Sequence, residues 1–285
     1  MRKRSVVRAR VGMGIPELIV GLVVMGILGI AAIKVFVSQT RFADMQHKRR
    51  FARSVSRAPI NLLLSEMRMV ENAGGVAAAS AASGASSITV RIPIAMGIVC
   101  GQSAGQTVLS MMPTDSLVLA GAALSGYAYR ENNGTYTYTE GSVSVTSGGA
   151  ATCAAANITT LPGGRVVSVT PPFPAPALVA APAFLYQRVR FSFAASAMLP
   201  GRLGLWRTQE ATGTTEEVAA PFDSASLLRF YRNANDTSDV AVPPLNQING
   251  VELVLTGASE KPRFEKSAPE TAPLRTAVFF INRIN

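Results

Sequence analysis

The residue whose chemistry stands out first is Glu17, a carboxylate that immediately precedes a long apolar run. A carboxylate at the edge of a bilayer is costly unless a positive charge or a hydrogen-bond donor pairs with it, so its presence there points to a function. Two roles fit this position. Either Glu17 pairs with a positive charge on another molecule, or it caps the N-terminus of its own helix, where negative charge is favoured.

The other reactive side chains do not form a recognisable catalytic group. His47 is the only histidine, and its place beside Lys48 in a basic stretch favours a solvated side chain over a catalytic base. The one adjacent pair of acids, Glu216 and Glu217, lies in the stretch TGTTEEVAAP, which is typical of a loop. The sequence also contains no P-loop, HExxH or GxGxxG motif. We therefore expect a protein that is not an enzyme and that holds neither a cofactor nor a metal.

Cys100 and Cys153 are the only cysteines, and neither belongs to a CxxC motif or to a Cys/His cluster with metal-ligand spacing. An even number of cysteines in an exported domain favours a disulfide between them. Two separate buried thiols are the alternative.

The apolar run after Glu17 covers residues 18–37 and carries a single charge, Lys34, near its far end. At about 1.5 Å per residue, twenty helical residues span roughly 30 Å, which is the hydrocarbon thickness of a bilayer. Lys34 is close enough to the end to extend to the interface. A cleaved secretory signal would have a shorter apolar core followed by a small-residue cleavage site, so we expect this segment to be retained as a membrane span.

Residues 12–20, GMGIPELIV, follow a basic leader and resemble the type IV prepilin motif, in which the leader ends in Gly and the mature chain has Glu at its fifth position. The resemblance implies that prepilin peptidase cuts between Gly12 and Met13 and methylates the new amine on Met13. It also implies that Glu17 meets the amine of a neighbouring subunit and so sets the register of the filament. Proline at residue 16 loses no helical hydrogen bond, because the first four N–H groups of a helix have no internal partner.

Beyond the span, residues 38–72 keep a helical spacing of apolar side chains, with a kink or restart expected at Pro59 and a stop at Gly74 and Gly75. From there on, short β-prone runs alternate with turn-forming residues, which predicts antiparallel strands. The predicted runs are SITVRI, TVLSM, SLVLA, YAYRE, TYTYTE, SVSVT, RVVSV, FLYQRVRFSF, LGLWRT, LLRFY, VELVLT and TAVFFI. The sequence thus predicts an α+β, pilin-like fold, in which a long N-terminal helix is laid on one face of an antiparallel sheet.

We divide the chain into four parts. These are a basic leader (1–12), a transmembrane or filament-core helix (13–37), its amphipathic continuation (38–73) and a β-rich domain (74–285). The order of the C-terminal strands is similar to that of PilW-type minor pilins and J-type pseudopilins. The resemblance implies a bacterial inner-membrane protein with a periplasmic C-terminal domain. Such a protein assembles with other major and minor pilins into a type IV pilus or a type II secretion pseudopilus, between which the sequence does not choose.

The charge leaves two alternatives open. Of the net charge of +10, five positive charges lie in the first twelve residues, and a second basic cluster at residues 41–57 follows the apolar run, where it could meet lipid headgroups. The first alternative is a plain single-pass membrane protein whose outer domain binds a ligand, a surface polymer or DNA. The second is a nucleic-acid-binding protein that uses the basic cluster and four alternating tyrosines, although cross-strand packing is the favoured role for those tyrosines. They are Tyr127, Tyr129, Tyr136 and Tyr138.

Overall fold

Helix α1 (Ile15–Arg57) runs unbroken for 43 residues, which corresponds to roughly 65 Å. It starts after Gly14, whose backbone is extended, and Pro16 occupies its first turn without removing a helical hydrogen bond. The helix ends just before Pro59, and helix α2 (Ile60–Arg68) begins directly after that proline. The predicted restart at Pro59 is therefore confirmed, whereas the helical segment ends at Arg68, several residues earlier than expected.

The computed structural model describes residues 14–72, 74–82, 84–174, 177–232, 237–238, 241–262 and 266–280. Two further helices are short: α3 (Pro113–Leu119) and α4 (Ala150–Ala155). The strands are β1 (Val76–Ser80), β2 (Ser87–Ser103), β3 (Gln106–Met111), β4 (Gly126–Arg130), β5 (Tyr136–Glu140), β6 (Ser144–Ser147), β7 (Arg165–Thr170), β8 (Pro182–Ala195), β9 (Leu203–Gln209), β10 (Thr214–Phe222), β11 (Leu227–Tyr231), β12 (Gly250–Pro262) and β13 (Pro269–Phe279).

These strands form one antiparallel sheet whose main path runs β11-β12-β10-β9-β8-β2-β3-β7-β6. Strand β13 pairs with β12, β1 pairs with β2, and the β4–β5 hairpin joins through β8. Helix α1 packs on β12, β13 and β10 through its C-terminal part. The α+β class with a long N-terminal helix on an antiparallel sheet is thus confirmed.

Two hydrophobic cores share the long strands β2 and β8. The first packs the helices against the sheet and includes Leu63, Met67 and Phe191, and the second lies under β3, β4 and β7. The division falls where the register between β2 and β8 shifts, between Pro93 and Ala95. Proline has no N–H to donate to a ladder, so a break in pairing at this residue is expected.

Two of the predicted elements were wrong. The run SLVLA lies mostly in helix α3, because Pro113 occupies the first turn and Asp115 places a negative charge at the helix N-terminus. The stretch that contains Glu216 and Glu217 is not a loop but strand β10, which pairs with β9 over its length. Strand β1 and helix α4 were not predicted, because their alanines carry little β or helical patterning.

Candidate functional site

The N-terminal half of α1 is an apolar surface with no covering in the described part of the chain. Every residue from 14 to 43 is exposed, and Ile15, Met25 and Phe36 keep 79%, 74% and 66% of their surface accessible. A helix that is apolar on all sides is found in a protein core or in a membrane, and no core surrounds this one. By length and composition it is able to cross a membrane once.

Glu17 caps this helix in the structure. Its Oε2 accepts a hydrogen bond from the backbone N–H of Gly14 at 3.3 Å, and the Gly14 carbonyl in turn accepts from Leu18 N at 3.2 Å. The carboxylate therefore satisfies a donor that the first turn leaves open and lies at the positive end of the helix dipole. The two other residues of the predicted processing site, Gly12 and Met13, lie outside the described residues, as does the leader.

The second half of α1 is anchored to the sheet by Ser56. This side chain is 1% exposed; its Oγ accepts from the N–H of Gly257 in β12 at 2.9 Å and lies 2.8 Å from the Ala272 carbonyl of β13, to which it can donate. The Ala52 carbonyl, one turn earlier on the helix, lies 3.1 Å from the same hydroxyl. One serine thus links the helix to two neighbouring strands.

Gly257 makes this close approach feasible. A Cβ atom at this position would lie 2.1 Å from the carbonyl oxygen of Ala52 and 2.6 Å from Ser56 Oγ, far inside van der Waals contact. Ala52, itself fully buried, presents only a methyl group on the helix side. Small residues on both elements therefore allow the backbone of α1 to reach the sheet.

Charged side chains add further contacts between α1 and the β12–β13 hairpin. Lys48 Nζ donates to Asp44 Oδ2 and to the Pro262 carbonyl, each at 2.8 Å, and Arg49 Nε lies 3.3 Å from Glu270 Oε2. These pairs are partly solvated, so each contributes little to stability. They nevertheless fix the end of the hairpin beside the helix.

The sequence matches no protein-family model, no curated protein and no solved structure.

Cys100 and Cys153 are joined in a disulfide, with their Cα atoms 4.6 Å apart. The bridge ties helix α4 to strand β2, and both cysteines are buried beside Val108. It lies on the β3 side of the sheet, away from α1, and serves to hold the short helix α4 in place.

The four tyrosines are packed in the structure, but not against each other across the hairpin as expected. Tyr127 lies opposite Thr139 and Tyr138 opposite Ala128, which puts the tyrosines of β4 and those of β5 on opposite faces. Tyr127 stacks on Phe173 with ring centroids 4.2 Å apart, whereas Tyr138 makes edge contacts with the aromatic rings of β8. Both β4 tyrosines are only 2% exposed, so neither is available to stack on a nucleic-acid base.

Tyr138 lies in a polar cluster that attaches the β4–β5 hairpin. The Arg91 guanidinium lies 5.0 Å from the centre of its ring and pairs with Glu140, whose other oxygen accepts from Arg188 at 2.8 Å. Within the described part of the chain the buried Tyr138 hydroxyl has no hydrogen-bond partner. Burial, and next the nearby Glu71 carboxylate, raises the pKa of Tyr138 above its ordinary value.

The remaining reactive residues are spread over the surface. His47 is exposed and lies near Ser259 and Lys261 at the edge of the hairpin. Glu216 pairs with Arg207 at 3.3 Å, while Glu217 accepts from the Ala197 N–H. Among the described residues no group of three or more His, Cys, Asp or Glu side chains is placed to hold a metal.

Ser56 and Gly257 were not predicted from the sequence to be positioning residues. One indication was available, because a glycine inside the strand pattern VELVLTG suggests a close backbone approach. Nothing in the sequence showed that its partner would be a serine 201 residues earlier in the chain.

Proposed function

We propose that this chain is a minor pilin or pseudopilin subunit, with a structural role in filament assembly rather than a catalytic one. The observation that supports this most directly is the division of α1 into an uncovered apolar half and a half fixed on the sheet. The apolar run of twenty residues, which carries only one charge, needs lipid around it before assembly and other apolar helices around it afterwards. A subunit that moves from a membrane into a filament core meets both requirements with the same surface.

In this proposal prepilin peptidase cleaves between Gly12 and Met13 and methylates the amine of Met13. The protein first resides in the bacterial inner membrane with its β-rich, pilin-like domain in the periplasm. It then joins other major and minor pilins, in a type IV pilus or in a secretion pseudopilus. The oxidising periplasm is consistent with the Cys100–Cys153 disulfide.

Glu17 takes a second partner in the assembled filament. Before assembly it accepts from the Gly14 N–H, which is a single, long hydrogen bond. The new α-amine of Met13 on a neighbouring subunit offers a full positive charge instead, and the attraction between the two charges is strong where water is excluded. This pairing sets the register between subunits, because only one axial offset places the amine of one subunit beside the Glu17 carboxylate of its neighbour.

The N-terminal mass of the membrane-extracted protein, with and without a co-expressed prepilin peptidase, tests the cleavage. We expect a chain that starts at methylated Met13 only when the peptidase is present, and a Gly12→Leu variant that stays intact. Gly21→Leu is the matched control, since a Cβ at Gly21 has no atom within 4 Å, and it should still be cleaved. An intact Met1 terminus despite an active peptidase would refute the proposal and favour a plain membrane-anchored binding protein.

Glu17→Gln separates the two roles of the carboxylate. Glutamine keeps a carbonyl oxygen that can accept from Gly14 N–H but removes the negative charge, whereas Glu17→Ala removes both. If the charge sets the register, both variants are cleaved and both fail to enter filaments. If Glu17 only caps the helix, Glu17→Gln assembles like the wild type, and the register role is wrong.

A further inference from the structure

Seven basic residues lie close together just after the apolar run. Five of them are on α1 itself, and the other two come from the β12–β13 hairpin, which is distant in the sequence. We call this group the basic collar. Its members are Arg41, Lys48, Arg49, Arg50, Arg53, Lys261 and Lys266. The described acids at the same level are Asp44, Glu260 and Glu270, so the collar has an excess of positive charge.

The described end of β12 lies against the helix. Lys48 Nζ donates to the Pro262 carbonyl at 2.8 Å, and an open groove there is lined by Val37 from the helix and Lys261 from the hairpin. A second groove places Lys266 beside Arg49 and Arg53. Both hairpin lysines are exposed.

The distance between the hairpin and the membrane surface can be estimated from the helical rise along α1. Val37 is the last residue of the apolar run, and Lys48 lies eleven residues, or roughly 16 Å, further along the axis. Pro262 contacts the helix at Lys48, and Lys261 and Pro262 line one groove with helix residues from Val37 to Lys48. A headgroup layer of about 5 to 7 Å and a Debye length of about 8 Å together cover most of that interval. Lys261 therefore lies within reach of lipid phosphates when residues 18–37 span a bilayer.

We propose that the basic collar binds the headgroups of anionic phospholipids, and that the β12–β13 hairpin is a second membrane contact beside the span. The inference rests on the proposed membrane span but not on cleavage or filament assembly. Charge complementarity identifies the partner, since a leaflet of anionic lipid presents phosphates around the whole circumference of the helix at this height. The contact stops the β-rich domain from tilting relative to the membrane surface.

Fluorescence quenching on the full-length protein in lipid nanodiscs tests this contact. A fluorophore on Ser267→Cys, an exposed residue of the hairpin end, reports its distance to lipids that carry a nitroxide on the headgroup. We expect stronger quenching with phosphatidylglycerol than with phosphatidylcholine alone. We also expect quenching to weaken as salt rises from about 0.1 M to about 1 M, which shortens the Debye length from about 10 Å to about 3 Å.

Lys261→Gln and Lys266→Gln together should shift the docking equilibrium on the order of 25-fold toward the undocked state, because each surface lysine contributes about fivefold. The control pair, Arg165→Gln and Arg190→Gln, removes equal charge from exposed positions on β7 and β8 and should leave quenching unchanged.

Three outcomes would overturn the proposal in protein that is shown to be inserted in the nanodiscs. The first is equal quenching in neutral and anionic lipid, and the second is equal loss in both pairs of variants. The third is tighter, lysine-dependent binding of a short DNA duplex than of anionic lipid, which would assign the collar to nucleic acid. Failure of the chain to enter nanodiscs at all would instead refute the membrane span on which the proposed function depends.

Discussion

Removing the hydroxyl of Ser56 should loosen the junction between α1 and the sheet more than removing the hydroxyl of the nearby Ser54. In Ser56→Ala the Gly257 N–H and the Ala272 carbonyl both lose a partner inside a buried contact. An unsatisfied buried group costs about 1 to 3 kcal/mol. Allowing for partial relaxation, we expect about 2 to 4 kcal/mol less stability, which is roughly 4 to 16 °C in Tm for a domain of this size.

Thermal unfolding of the full chain in detergent, followed by circular dichroism, measures this effect. The matched control is Ser54→Ala, because Ser54 is exposed and its hydroxyl donates only within the helix, to the Phe51 carbonyl at 2.7 Å. That change should cost less than about 0.5 kcal/mol. Hydrogen exchange adds a local readout, since the Gly257 amide should lose protection in Ser56→Ala alone. Equal Tm shifts for the two serine variants would show that Ser56 is not the anchor.

Three further changes test other parts of the fold. Gly257→Ala forces a Cβ against a carbonyl oxygen of α1 and should lower the free energy of unfolding, measured in urea, by about 1 to 3 kcal/mol. In the control Gly121→Ala the new Cβ meets no atom within 4 Å, so the free energy of unfolding should not change. Replacing Cys100 and Cys153 together by Ser opens a loop of 53 residues, so we expect up to about 4 kcal/mol less stability and no remaining effect of a reductant. A wild-type protein that is indifferent to reductant would contradict the bridge. Because burial raises the pKa of Tyr138, ionisation of its phenol favours the unfolded chain, so stability should fall as the pH rises above about 10. Tyr138→Phe should therefore be neutral or stabilising at pH 7 and should flatten the alkaline loss of stability; an unchanged alkaline profile would rule out this assignment.

The elements that the sequence predicted well are those whose cause is local. The apolar run, the restart at Pro59 and most strands follow from hydrophobic period and from the backbone limits of proline and glycine. The two wrong predictions also concern local structure, but in each of them two features of the sequence favour different structures. The run SLVLA contains β-prone residues, but the helix that begins at Pro113 includes most of it. Strand β10 contains the charged residues Glu216 and Glu217, which favoured a loop prediction, although it pairs with β9.

The contacts that fix the candidate site could not be predicted, because they join residues far apart in the chain. Glu66 in α2 pairs with Arg207 in β9 at 2.9 Å across 141 residues, and Ser56 meets Gly257 across 201. A single sequence gives the type of each side chain and its local element, but not which distant elements approach each other. The resemblance of residues 12–17 to a prepilin cleavage motif is the opposite case, because it depends only on the spacing of six neighbouring residues.

The position of Pro59 explains how one helix can carry both an uncovered apolar half and a half fixed on the sheet. The helix is continuous between Ile15 and Arg57, so its apolar half is rigidly connected to the contact at Ser56. The break comes only after that contact, and it lets α2 place Leu63 and Met67 in the first core. A proline between the apolar run and Ser56 would instead create a hinge there. The orientation of the β-rich domain would then be uncoupled from the apolar half of α1.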